Sequence, residues 1–65
     1  MIDVCLDRIM LERKIGVNEL ASRIGITNVN LSRIKTGKAK AMRFSTLNAL
    51  CSTLECQPGD ILKYR

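Results

Sequence analysis

The chain has 65 residues, 46% of them hydrophobic, and carries 11 Lys and Arg against 6 Asp and Glu for a formal net charge of +5. One domain of this size buries only about 60% of the surface of its unfolded chain, which leaves no room for a deep catalytic cavity, while the apolar fraction is too high for a disordered segment. Phe44 and Tyr64 are the only aromatics, too few to stack single-stranded bases; no run of 18 apolar residues offers a membrane span.

Apolar spacing is helical along nearly the whole chain. Leu6, Ile9 and Met10 predict a first helix over 5–14. Val17, Leu20, Ala21 and Ile24 predict a second over 17–24, with Gly16 as N-cap, Glu19 positioned for a capping box and Gly25 as a left-handed C-cap. Thr27 is a good N-cap for a third helix over 28–36, anchored inward by Leu31 and Ile34 and ended by Gly37. Residues 38–43 have no apolar period and read as a basic loop. Ser45 is expected to cap a fourth helix with the stripe Leu47, Leu50, Cys51 and Leu54. Pro58 suits the first position of a short fifth helix, with Ile61 and Leu62 turned to the core. Residues 2–4 and 62–64 are candidates for a short terminal β-ribbon. The expected fold is all-α: a compact five-helix bundle in one domain, 1–65.

The second and third helices, joined by a Gly-centred turn, make a helix-turn-helix over about 17–37. Small Ala21 permits close crossing, and Ile26 plugs the turn. The outward residues of the third helix are then Asn28, Val29, Asn30, Ser32, Arg33 and Lys35. Asn pairs bidentately with adenine, Arg with guanine, and Val29 suits a thymine methyl; a merely solvated helix would more often carry Glu–Lys pairs. Charge placement agrees. All six acids (Asp3, Asp7, Glu12, Glu19, Glu55, Asp60) lie outside residues 20–54, whereas Arg23, Arg33, Lys35, Lys38, Lys40 and Arg43 lie inside. Such a field suits nucleic-acid phosphates. An anionic membrane is the weaker match, because the bases form no continuous amphipathic helix.

The run from Val17 to Gly37, with its Leu20-Ala21 pair, Gly25, Ile26-Thr27, the Leu31 and Ile34 anchors and the closing Gly37, resembles the helix-turn-helix of the Cro and phage-repressor family. With the first helix and the tail from Phe44 to Leu62, the likeness extends over nearly the whole chain, to the compact bacterial subgroup with a lambda-repressor-like five-helix bundle. The resemblance implies a third helix lying in the major groove, with Asn28, Val29, Ser32 and Arg33 reading bases; Asn30 completes the base-contact set. It also implies a phosphate contact at the start of the second helix. There Val17 stands where many members carry Gln, so the contact falls to its backbone N–H or to Asn18. With Arg23, Thr27, Lys35, Lys38, Lys40 and Arg43, these make the expected phosphate set.

The function that follows is sequence-specific double-stranded DNA binding by a transcriptional regulator, a repressor in the first instance. A homodimer is expected on DNA, with Ile2, Ile61, Leu62 and Tyr64 as its seam. The alternative is a protein-interaction module, antitoxin- or coactivator-like, docking through exposed apolar residues such as Met1, Ile2, Met42 and Tyr64. Catalysis and metal or cofactor binding are not expected: the chain has no His, its carboxylates are scattered, and Cys51 and Cys56 form no CxxC pair. Cys51 is read as a buried structural thiol and Cys56 as partly exposed. Asp3 and Asp7 stand where an export signal would carry bases. With three cysteines, an odd number, a cytoplasmic setting is expected.

Overall fold

The computed structural model describes residues 1–65. The elements run β1 (Ile2–Val4), α1 (Leu6–Glu12), α2 (Val17–Ile24), α3 (Asn28–Lys35), α4 (Phe44–Leu54), α5 (Pro58–Ile61) and β2 (Leu62–Tyr64). Five helices and a two-stranded antiparallel ribbon result, the ribbon pairing Ile2 with Tyr64, Asp3 with Lys63 and Val4 with Leu62. The expected terminal ribbon therefore forms. It is reinforced by an Arg65–Asp3 ion pair and by the Met1 ammonium donating to the Arg65 carbonyl.

Every helix contributes to a single core: Leu6, Ile9 and Met10 from α1, Leu20 and Ala21 from α2, Leu31 and Ile34 from α3, Leu50 and Leu54 from α4, and Ile61 from α5. These ten positions are all apolar, and no buried polar side-chain atom is left without a partner. Core cohesion is thus hydrophobic, with each fully buried Leu or Ile stabilising by about 1.5–3 kcal/mol relative to exposure. No helix is long and apolar enough to cross a membrane.

The four longer helices all stop in the same way. Each ends in a left-handed residue, Lys14 (φ 54°), Gly25 (φ 77°), Gly37 (φ 76°) or Glu55 (φ 52°). In each case the next N–H then reaches back five residues to a helical carbonyl. The bonds are Ile15 N to Met10 O at 3.0 Å, Ile26 N to Ala21 O at 3.1 Å, Lys38 N to Arg33 O at 2.9 Å and Cys56 N to Cys51 O at 3.1 Å. This is the six-to-one closure of a Schellman-type cap, which folds the chain back and brings the two side chains it joins together. At α1 and α2 those side chains are apolar, Met10 with Ile15 and Ala21 with Ile26.

Several local expectations are corrected. The first helix is shorter than 5–14, because Lys14 already occupies the left-handed region. Gly16 is the N-cap of α2, but Glu19 makes no capping bond; its carboxylate sits 2.6 Å from Arg23, one turn on. Helix α4 begins at Phe44, with Arg43 as N-cap, so Ser45 lies inside the first turn and does not cap it. Helix α3 ends at Lys35, its last carbonyls met by Thr36, whose hydroxyl donates to Ser32 O at 2.9 Å. The α5 cap went unread in the sequence: Gln57 N–H donates to the Asp60 carboxylate at 2.9 Å.

Candidate nucleic-acid interface

Helix α3 is held from below by Leu31 and Ile34, both buried, and from its start by Thr27, whose hydroxyl accepts from Asn30 N–H at 3.1 Å. With those two anchors inward, Asn28, Val29, Asn30, Ser32 and Arg33 are all exposed, and Val29 leaves 64% of its surface in water. An exposed β-branched residue in the first turn of a helix gains nothing by packing; beside two Asn and an Arg it forms a mixed hydrogen-bonding and apolar surface of the kind that base edges present.

Asn28 is not free to rotate. Its amide donates to the side-chain oxygen of Asn18 at 2.8 Å, across the turn. One amide N–H of Asn28 and its carbonyl oxygen remain unused by this bond. Val17, by contrast, is half-buried and packed against the core. Its side chain packs the start of α2 against the core, while the next residue, Asn18, is exposed.

The expected phosphate set divides in two. Arg23 is paired with Glu19, and Lys35 lies 3.3 Å from Asp7 at the start of α1. The acids that are absent from residues 20–54 along the chain thus return in space to two of its bases. Arg33, Lys38, Lys40 and Arg43 form no ion pair. Thr27 is exposed, with its hydroxyl oxygen committed to the α3 cap.

The four unpaired cations are gathered at one end of α3. The closure that ends α3 joins Arg33 to Lys38, where the other caps join apolar or thiol side chains. Arg33, Lys40 and Arg43 also line a recess of about 510 Å³, together with Asn30, over a floor that includes Ile26, Ile34 and Met42. Met42 and Ala39 pack against the core, so the basic loop is pinned at two points and presents its charges from a fixed base. Like charges around one recess repel one another, and the phosphate of a nucleic acid offers them a counter-charge.

The seam expected for a dimer is also altered. Ile61 is fully buried and cannot meet a partner, and Leu62 is half-buried. Met1, Ile2 and Tyr64 remain exposed at the ribbon, while Met42, of the expected apolar patch, is half-buried and packs against the core. Phe44 is the most exposed large apolar side chain, at 88%, and nothing in the apolar spacing marks it as a surface residue. Cys51, expected to be buried, is half-buried on an open groove.

Comparison with known proteins agrees with this geometry. Residues 5–65 match the family model of the Cro/C1-type HTH DNA-binding domain. The chain is also 60% identical over 60 residues to the uncharacterized HTH-type transcriptional regulator YozG of Bacillus subtilis (strain 168), an alignment that covers 92% of this chain and 71% of the relative. With its turn, its two anchored helices and nearly its full length inside the match, the chain belongs to the Cro/C1-type helix-turn-helix DNA-binding domain family.

Proposed function

We propose that the protein is a transcriptional regulator, a repressor, that binds duplex DNA in a sequence-dependent way with α3 in the major groove. The observation that carries this reading is the exposed face of α3, bearing Asn28, Val29, Asn30, Ser32 and Arg33 and flanked by the unpaired Lys38, Lys40 and Arg43. Base edges are met by the first set and phosphates by the second. Arg23 and Lys35 serve as reserve cations, released to DNA only when their acids let go. One short helix reads too few base pairs to select a genomic site. Two copies related by a two-fold axis double the readout, and the exposed Met1, Ile2 and Tyr64 on the ribbon are the surface assigned to that contact.

The test is selection from random duplexes, followed by sedimentation of the protein on a selected site. An inverted repeat with half-site centres about 34–36 Å apart and two chains per site is the expected result. Asn28→Ala and Arg33→Ala should each cost about 1–3 kcal/mol at a single base position. An unchanged consensus in both variants refutes the assignment of α3. A one-to-one complex on an asymmetric site refutes the dimer. The competing reading, a protein-interaction module, is favoured by the exposure of Phe44 at the mouth of an apolar groove; it gains if no duplex is enriched and binding lacks salt dependence.

A further inference from the structure

Two of the three cysteines meet where α4 gives way to α5. The six-to-one closure at the end of α4 joins Cys51 to Cys56, with Cys56 N–H donating to Cys51 O at 3.1 Å across the left-handed Glu55. At α1 and α2 the side chains joined by this closure are Met10 with Ile15 and Ala21 with Ile26, and both pairs serve packing alone. Here the residues that the same closure joins are two cysteines. Both are half-buried and line one open groove of about 670 Å³, shared with Phe44, Leu47 and Pro58. A small reagent therefore reaches them without unfolding the chain.

We propose that Cys51 and Cys56 form a closable dithiol, a modification site at which a low-molecular-weight disulfide oxidises the folded protein to an internal Cys51–Cys56 disulfide. A disulfide needs α-carbons roughly 4.4–6.8 Å apart and converging β-carbons, and a Schellman-type cap folds the chain back so that the side chains at its two ends meet. In the first step the thiolate of one cysteine attacks a sulfur of the small disulfide, forming a mixed disulfide and releasing one small thiol. In the second, the other cysteine, as thiolate, attacks the protein-side sulfur and displaces the second small thiol. One protein dithiol and one small disulfide thus yield one protein disulfide and two small thiols, the two protons passing to the released thiols. Burial, then the neighbouring Cys51 sulfur and the Asp60 carboxylate, push the Cys56 thiol up, with Arg13 opposing. The raised Cys56 thiol disfavours its thiolate.

Cys5 is the built-in control. It shares a separate recess with Cys56, between α1 and α5, but it belongs to no helix-end closure. The reduced full chain is equilibrated with oxidised glutathione, remaining thiols are alkylated, and intact mass is measured before and after cleavage at Glu55. The expected product carries one alkyl group, on Cys5, and no glutathione, is otherwise lighter by two hydrogens, and leaves the fragments on either side of Glu55 joined. Closure should be complete at an oxidised-glutathione level roughly tenfold below that which modifies Cys5, because the second step is intramolecular. Cys5→Ser should close as the parent does, and Cys51→Ser should stop at a glutathione adduct. Circular dichroism of Cys5→Ser before and after oxidation should show the same helix content. If folded Cys5→Ser halts at the mixed disulfide or links to a second chain, the proposal fails. It fails equally if the joined fragments contain Cys5 and Cys56, or if closure occurs only with loss of helix.

Discussion

The bond between Asn28 and Asn18 makes a quantitative prediction about DNA binding. Asn28 lies on the exposed face of α3, and Asn18, on α2, fixes its amide through a 2.8 Å hydrogen bond. Both side chains are exposed, so the bond is worth little to stability, about 0.5 kcal/mol or somewhat more. Its value lies in orientation. Ordering a polar side chain on binding costs about 0.5–1.5 kcal/mol, and Asn18 has already met that cost. Asn18→Ala should therefore weaken binding to a selected duplex by about 2- to 12-fold, with the melting temperature almost unchanged. The salt slope should also be unchanged, because a neutral side chain displaces no counterion. The assay is a double-mutant cycle by fluorescence anisotropy with Asn18→Ala, Asn28→Ala and the pair. If Asn18 acts through Asn28, its substitution costs nothing further once Asn28 is Ala. Strictly additive losses would refute the reasoning and leave Asn18 as an independent phosphate contact.

The unpaired cations predict that the triple substitution Lys38→Ala, Lys40→Ala, Arg43→Ala lowers the slope of log K against log salt by up to ~2.7, about 0.9 for each phosphate neutralised; salt-dependent titrations on specific and random duplexes check this, and both should weaken alike. Because Asp7 holds Lys35 at 3.3 Å, Asp7→Asn should tighten binding to any duplex and steepen the salt slope by up to ~1, the gain vanishing when Lys35→Ala is added. Gly25→Ala should destabilise the fold by about 1–2 kcal/mol in thermal or urea unfolding: nothing lies within 4 Å of an added β-carbon, so the cost is the left-handed backbone alone.

What was legible in the sequence was what short-range physics determines. The order of helices, the turn at Gly25, the Thr27 cap and the inward pair Leu31 and Ile34 all follow from residues within a few positions of one another, and the structure agrees with each. The exposed face of α3 was legible for the same reason, being what remains once the anchors are set. Caps without a signature residue escaped. Lys14 and Glu55 end helices in the left-handed region with no glycine to announce it. Pairings across the fold escaped as well: Lys35 to Asp7, and Arg13, whose guanidinium donates to Leu54 O at 2.8 Å and to Glu55 O at 3.3 Å at the end of α4. Periodicity cannot say which bases a distant acid will pair with in the free chain. Ile61 is turned to the core, as its place in the short helix implies, and that burial is what removes it from the expected dimer seam.

The repeated helix endings bear on how the chain folds. Each closure spans only six residues, so α1 to α4 can stop and reverse direction using information carried within about two turns of helix. Chains dominated by such local contacts fold in microseconds to milliseconds, since little loop entropy is lost before contacts form. The ribbon is the exception, for it joins Ile2 to Tyr64 across almost the full length of the chain. It should zip last and open first. Amide exchange at Ile2, Asp3 and Val4 should therefore outpace exchange at Leu20, Leu31 and Leu50, whose amides open only when the whole bundle does.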